Sequence, residues 1–193
     1  NLLLSISPEK SEFVRKSIME IYKIVEDVNL PGSQFSRSKT MYNEWDLVFG
    51  KLYGNESEET DFTSVSPSIR KLYGVRENKN IDAKYYLFSL QTFFNIFLKL
   101  LVNAFLSQLI NPFFTPDYNL NSVDIIKLFS GEEPEQNRIV RNFFEVHYLE
   151  WFVFAMLPDS KQEKAFTSIV NDVLRMLEEF DLTTFVLKPE NIQ

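Results

Sequence analysis

YYLFSLQTFFNIFLKLLVNAFLSQLINPFF, from Tyr85 to Phe114, is the stretch that decides the fold. Its only charged side chain is Lys99. A membrane helix needs about 20 predominantly apolar residues, and this run is long enough. Against a span stand Gln91, Asn95, Asn103 and Gln108, and above all Lys99, because a charge at mid-bilayer is costly. A central helix enclosed by other helices accounts for the same pattern, since a helix apolar on all sides must be buried. Pro112 and Pro116 end it, as neither continues a helical hydrogen-bond ladder. The reading is a long buried helix and no membrane span.

Amphipathic helices are expected on both sides of this run. Ser7-Pro8-Glu9 carries a cap residue, a proline and an acid in the order of a helix start. Phe13, Val14, Ile18, Ile21, Tyr22 and Val25 follow at helical spacing, and Pro31-Gly32 lies beyond the expected stop near Asn29. Residues 36–54 place Tyr42, Trp45, Val48, Phe49 and Leu52 on one face. Residues 55–65 are acidic and aperiodic and read as a loop. A short helix runs from Ser66-Pro67 to Gly74, and 76–81 form a polar turn. Asn121 or Ser122 caps another short helix, closed by Gly131. Residues 137–157 read as an aromatic helix. Residues 159–180 form the last helix, with Phe166, Ile169, Val170, Val173, Leu174 and Leu177 as its stripe. No strand pattern of convincing length occurs. The expected fold is all-α: an irregular bundle of about five long and two or three short helices around the central one, in a single domain over 1–193. The first residue is Asn1, and the chain reads as a segment of a larger protein.

Chemistry is sparse. There is no cysteine, so thiolate metal sites and disulfides are absent. His147 is the one histidine, and it is expected to be a half-buried structural residue in the aromatic helix. No glycine-rich phosphate loop occurs among only 5 glycines. The acid pairs Glu58-Glu59, Glu132-Glu133 and Glu178-Glu179 read as solvated surface. Asn111-Pro112-Phe113-Phe114 superficially matches the Asn-Pro-Pro-Tyr/Phe loop of amino-methylating enzymes. It lacks the second proline and the preceding buried strand, and it reads as a helix terminator. The net charge of −7 argues against a domain that coats nucleic acid. A local excess of cations at Arg70, Lys71, Arg76, Lys79 and Lys84 is a candidate phosphate contact, with an ordinary solvated edge as the favoured reading. Gln91, Lys99, Asn142 and Glu145 lie on apolar segments and are expected to form a buried polar network, with Lys99 paired to Glu145.

Four aromatic-rich segments carry a resemblance. They are Trp45 to Gly50 with Leu52-Tyr53-Gly54, Lys71 to Gly74, Leu90 to Phe94 with Leu98 to Leu101, and Asn142 to Glu145 with Trp151-Phe152. In that order they resemble the helical region preceding the catalytic core of large adenine-specific DNA methyltransferases of restriction–modification and phage-defence systems, over roughly residues 42–185. Val146 and His147 depart from the small or acidic residues of that family after the position of Glu145. The resemblance implies a non-catalytic part of a cytoplasmic enzyme. No catalytic, cofactor-binding or metal residue is then expected in this chain. S-adenosylmethionine and the Asn-Pro-Pro-Tyr loop would belong to the parent protein. The implied partners are the rest of that polypeptide and double-stranded DNA. The alternative is a free-standing helical protein-interaction module with no enzyme attached.

Overall fold

The computed structural model describes residues 6–53, 67–75, 81–110, 119–132, 134–143 and 147–179. They are all-α: among the described residues there are α-helices α1 (Glu12–Asn29), α2 (Ser36–Tyr53), α3 (Pro67–Leu72), α4 (Ala83–Ile110), α5 (Ser122–Ser130), α6 (Glu135–Asn142) and α7 (Lys161–Glu178), and a 3₁₀ helix (His147–Phe154). Contacts group the chain into two compact units, Asn1–Asn95 with Val146–Phe166 and Ile96–Glu145 with Thr167–Gln193.

The first unit rests on the amphipathic α1. Val14, Ile18, Ile21, Tyr22 and Val25 are buried, as their spacing requires, and Ile24 and Val28 join them. Burying each such aliphatic side chain contributes about 1.5–3 kcal/mol of transfer free energy. The helix starts later than Ser7-Pro8 suggests. Ser11 is the N-cap, its Oγ 3.4 Å from the Val14 amide. Residues before it form a turn in which the Ser7 carbonyl accepts from Ser11 N at 2.8 Å. The Arg15 guanidinium holds that turn by donating to the Pro8 and Glu9 carbonyls at 3.1 and 3.0 Å.

The aromatic core of this unit joins several elements. Phe88 of α4 lies 5.2 Å from Tyr42, 5.0 Å from Trp45 and 5.7 Å from Trp151 between ring centres. Trp151 meets Phe166 edge-on at 5.5 Å, and Phe152 stacks on Phe166 at 4.9 Å. Offset and edge contacts of this kind add to the burial itself. On α2 the buried face is Ser38, Met41, Tyr42 and Trp45. Val48, expected on it, is 39 % exposed.

The expected single helix over 137–157 is instead α6 and the 3₁₀ helix. Leu149, Glu150, Trp151 and Phe152 are buried consecutively. Four successive side chains point to all sides of a helix whatever its winding, so this segment is covered all round rather than along one stripe. The α7 start does follow its sequence: Ser160 Oγ accepts from Glu163 N at 3.0 Å while the Glu163 carboxylate accepts from Asp159 N at 2.6 Å. This is a capping-box exchange shifted by one residue.

The second unit buries Ile96, Phe97, Leu100 and Ala104 of α4, Ile125, Leu128 and Phe129 of α5, Val140 of α6, and Val170, Val173, Leu174 and Leu177 of α7. Asn121 caps α5 by accepting from Asp124 N, and Gly131, in the left-handed region at φ 73°, closes it. By length and composition, Ala83–Ser107 of α4 could cross a bilayer, yet 56 % of that window is buried within the protein.

Candidate functional site

Two groups of polar side chains are candidates, and the structure treats them differently. Of the cationic set, Arg70, Lys71 and Lys84 lie among the described residues, and the two lysines are ion-paired. Lys84 Nζ lies 2.8 Å from Asp46 Oδ1, and Lys71 Nζ lies 3.8 Å from Glu9 Oε1. Arg70 Nε is shielded from solvent and has no hydrogen-bond partner among the described residues. Arg76 and Lys79 lie outside the described residues. Exposed pairs such as Lys71–Glu9 contribute roughly 0–1 kcal/mol, so they offer weak anchorage and little free charge.

The buried polar network is realised in part, with other partners. Lys99 is fully buried, and its ammonium donates to the Arg141 carbonyl at 2.9 Å. That carbonyl is among the last four of α6, which have no intrahelical donor, so the cation caps the negative end of the helix. Gln91 does not join Lys99. Its amide oxygen accepts from Trp45 Nε1 at 2.8 Å. Asn142 is exposed, contrary to expectation, because α6 turns Val140 and Gln136 inward and puts Asn142 on its wet face. Glu145, and with it the proposed Lys99–Glu145 pair, lies outside the described residues, as does the Asn111–Phe114 segment.

Sequence reasoning missed three further clamps. Gln136 Nε2 sits 2.7 Å from Asn103 Oδ1 and 2.8 Å from Ser107 Oγ, fastening α6 to α4. Asn171 pairs with the Leu120 backbone in both directions, accepting at 2.8 Å and donating at 2.9 Å. Trp151 Nε1 donates to Thr92 Oγ1 at 2.9 Å, and its carbonyl accepts from Ser38 Oγ at 3.0 Å. The polar positions were visible on apolar faces, but their partners lie 29 to 113 residues away.

His147 is exposed rather than half-buried, with Nε2 3.2 Å from Glu44 Oε2. It opens the 3₁₀ helix at the wet edge, before the run of buried residues begins at Leu149. An open cleft of about 320 Å³ is lined by Glu12, Arg15, Lys16, Met19, Gly74, Val75 and Ile81. Its charges are engaged: Lys16 pairs with Glu12 at 2.9 Å and Arg15 holds the turn before α1. Gly74 permits the close approach there, since a Cβ would fall 2.6 Å from the Pro8 carbonyl oxygen. No group of three or more potential metal ligands occurs among the described residues.

Burial raises the pKa of four tyrosines above the ordinary phenol value, because it disfavours the charged phenolate. Tyr22 is pushed up to about 12, first by desolvation and further by the Glu26 carboxylate, partly offset by the Asp82 amide donating to its oxygen. Tyr42 and Tyr85 are raised by desolvation first and then by nearby carboxylates, and Tyr86 is raised by desolvation. Comparison with protein families, curated proteins and solved structures finds no match for this chain.

Proposed function

We propose that this chain is a non-catalytic helical scaffold of an adenine-specific DNA methyltransferase from a restriction–modification or phage-defence system. The observation that carries the reading is where the residues behind the resemblance lie. Trp45, Thr92, Phe93, Leu100, Trp151 and Phe152 are all buried. These buried members are packing features, while Leu47, Leu72 and Phe143 of the same segments are exposed, and the buried set supports an architectural role. The side-chain clamps support this, since they spend polar groups on fixing helices to one another. Fully satisfied buried polar contacts favour one arrangement of elements over slipped alternatives. In this reading S-adenosylmethionine is bound by the parent's catalytic core, and DNA contact is secondary.

Two measurements test it. The reading frame beyond Gln193 is expected to encode a glycine-rich loop after a strand, followed by Asn-Pro-Pro-Tyr/Phe; a stop codon there sinks the parent assignment. Titration of the chain with duplex DNA at low salt is expected to give binding that is absent or unchanged by Arg70→Ala with Lys71→Ala. A clear loss in that double variant would make DNA contact the primary role. A free-standing protein-interaction module is the second reading, favoured by adjacent Leu47 and Val48 at 61 % and 39 % exposure on α2. The same reading-frame result separates the two.

A further inference from the structure

α6 is held in the second unit with little apolar burial of its own. Of its 8 residues only Val140 is buried. Pro134 stands at its N-cap and supplies no side-chain cap hydrogen bond. A helix this short does not persist by itself, since an isolated helix needs roughly 12–15 residues even to be marginal. α5 closes without help from α6: the Gly131 and Glu132 amides both donate to the Lys127 carbonyl, the latter at 3.0 Å.

The attachment of α6 to α4 is polar and follows one line of α4. Over residues 96–107 the only polar side chains are Lys99, Asn103 and Ser107. They recur at i, i+4 and i+8, which places them on one face of the helix. Near the start of α6, the Gln136 amide donates to Asn103 Oδ1 at 2.7 Å and to Ser107 Oγ at 2.8 Å. Near its end, Lys99 donates to the Arg141 carbonyl at 2.9 Å. Lys99 and Ser107 are both buried. Lifting α6 exchanges these hydrogen bonds for bonds to water and rehydrates an ammonium, and Val140 is the one buried side chain that α6 itself gives up.

We infer that α6 is a lid: it lifts from α4 ahead of any wider unfolding and uncovers the stripe of Lys99, Asn103 and Ser107, a cation in line with an amide and a hydroxyl. The inference concerns the second unit alone and does not depend on the identity of the parent enzyme. Its test is native-state hydrogen exchange of the full chain, read by NMR at rising sub-denaturing urea, with acetylation of Lys99 read in parallel by mass spectrometry. The Ile139 and Val140 amides of α6 should exchange at least about 100-fold faster than those of Val173 and Leu174 in α7 after correction for intrinsic rates, as expected of a separate low-stability unit. Their urea dependence should be far weaker, because a local opening exposes little surface. Lys99 acetylation should keep pace with α6 exchange. Val173→Ala should speed exchange in α7 and leave α6 unchanged, since the lifted state keeps the α7 packing. Gln136→Ala should speed α6 exchange and Lys99 acetylation together, about fivefold, the loss of about one net hydrogen bond. Exchange of α6 at the rate and urea slope of α7, or Lys99 acetylation at the pace of α7 exchange, would overturn the lid. So would Lys99 acetylation as fast as that of exposed Lys16, which would mean that α6 does not cover it. The measurements on unaltered protein decide the matter even if a variant fails to fold.

Discussion

Thr92→Val isolates one hydrogen bond in the aromatic core. Thr92 and Trp151 are both fully buried, and Trp151 Nε1 donates to Thr92 Oγ1 at 2.9 Å. The same hydroxyl donates to the Phe88 carbonyl at 2.8 Å, but that carbonyl also belongs to the helical ladder of α4. Valine keeps the branched shape and removes the acceptor, so the indole N–H is left dry and unpaired. A stranded buried donor costs about 1–3 kcal/mol. The extra methyl offsets part of this, which leaves about 2 kcal/mol. For a chain of this size that lowers Tm by about 4–8 °C. Urea unfolding followed by tryptophan fluorescence is the assay, since the chain has 2 tryptophans and both, Trp45 and Trp151, lie in the first unit. A double-mutant cycle with Trp151→Phe then separates the bond from the cavity. Once the donor is gone, Thr92→Val should cost little, giving a coupling of about 1–2 kcal/mol. A single variant within about 0.5 kcal/mol of the original, or zero coupling, refutes the claim that this bond fixes the 3₁₀ helix to α4.

Other perturbations have equally definite signs. Asn95 is 4 % exposed and neither polar atom of its amide has a partner among the described residues, so Asn95→Leu should stabilise by about 1–2 kcal/mol in urea unfolding; destabilisation would reveal an unseen partner. Gly74→Ala should cost at least about 2 kcal/mol more than Gly32→Ala, because both glycines have positive φ but only Gly74 is crowded, by the Pro8 carbonyl and Arg15; equal melting points would contradict this. Stability should be flat up to about pH 10 and then fall: the unfolded chain loses tyrosine protons near pH 10, while folded Tyr22 holds its proton to about 12. That residue alone accounts for at most about 3 kcal/mol, complete by about pH 12, and the phenolate absorbance of the four raised tyrosines should appear together with loss of ellipticity rather than before it.

The helices were legible because their information is local. The spacing of Val14, Ile18, Ile21 and Val25 makes α1, and the thirty-residue apolar run with its terminal prolines makes α4. Asn121 and Gly131 bound α5 by chemistry that acts within a few residues. Residues 137–157 were misread because their apolar side chains are too continuous to carry a period. Four successive buried positions are equally apolar in any winding, and the neighbours that cover them decide which one forms.

Sequence alone therefore determined the all-α class, the position of the most apolar helix, and the need for partners at Gln91 and Lys99. Only the tertiary structure decided what those partners are. It sends Gln91 to Trp45 and Lys99 to the end of α6, and leaves Asn142 in water. A buried polar group announces its own desolvation cost from its place in the pattern. Its partner is set by which distant helix packs against it, and no local period encodes that choice.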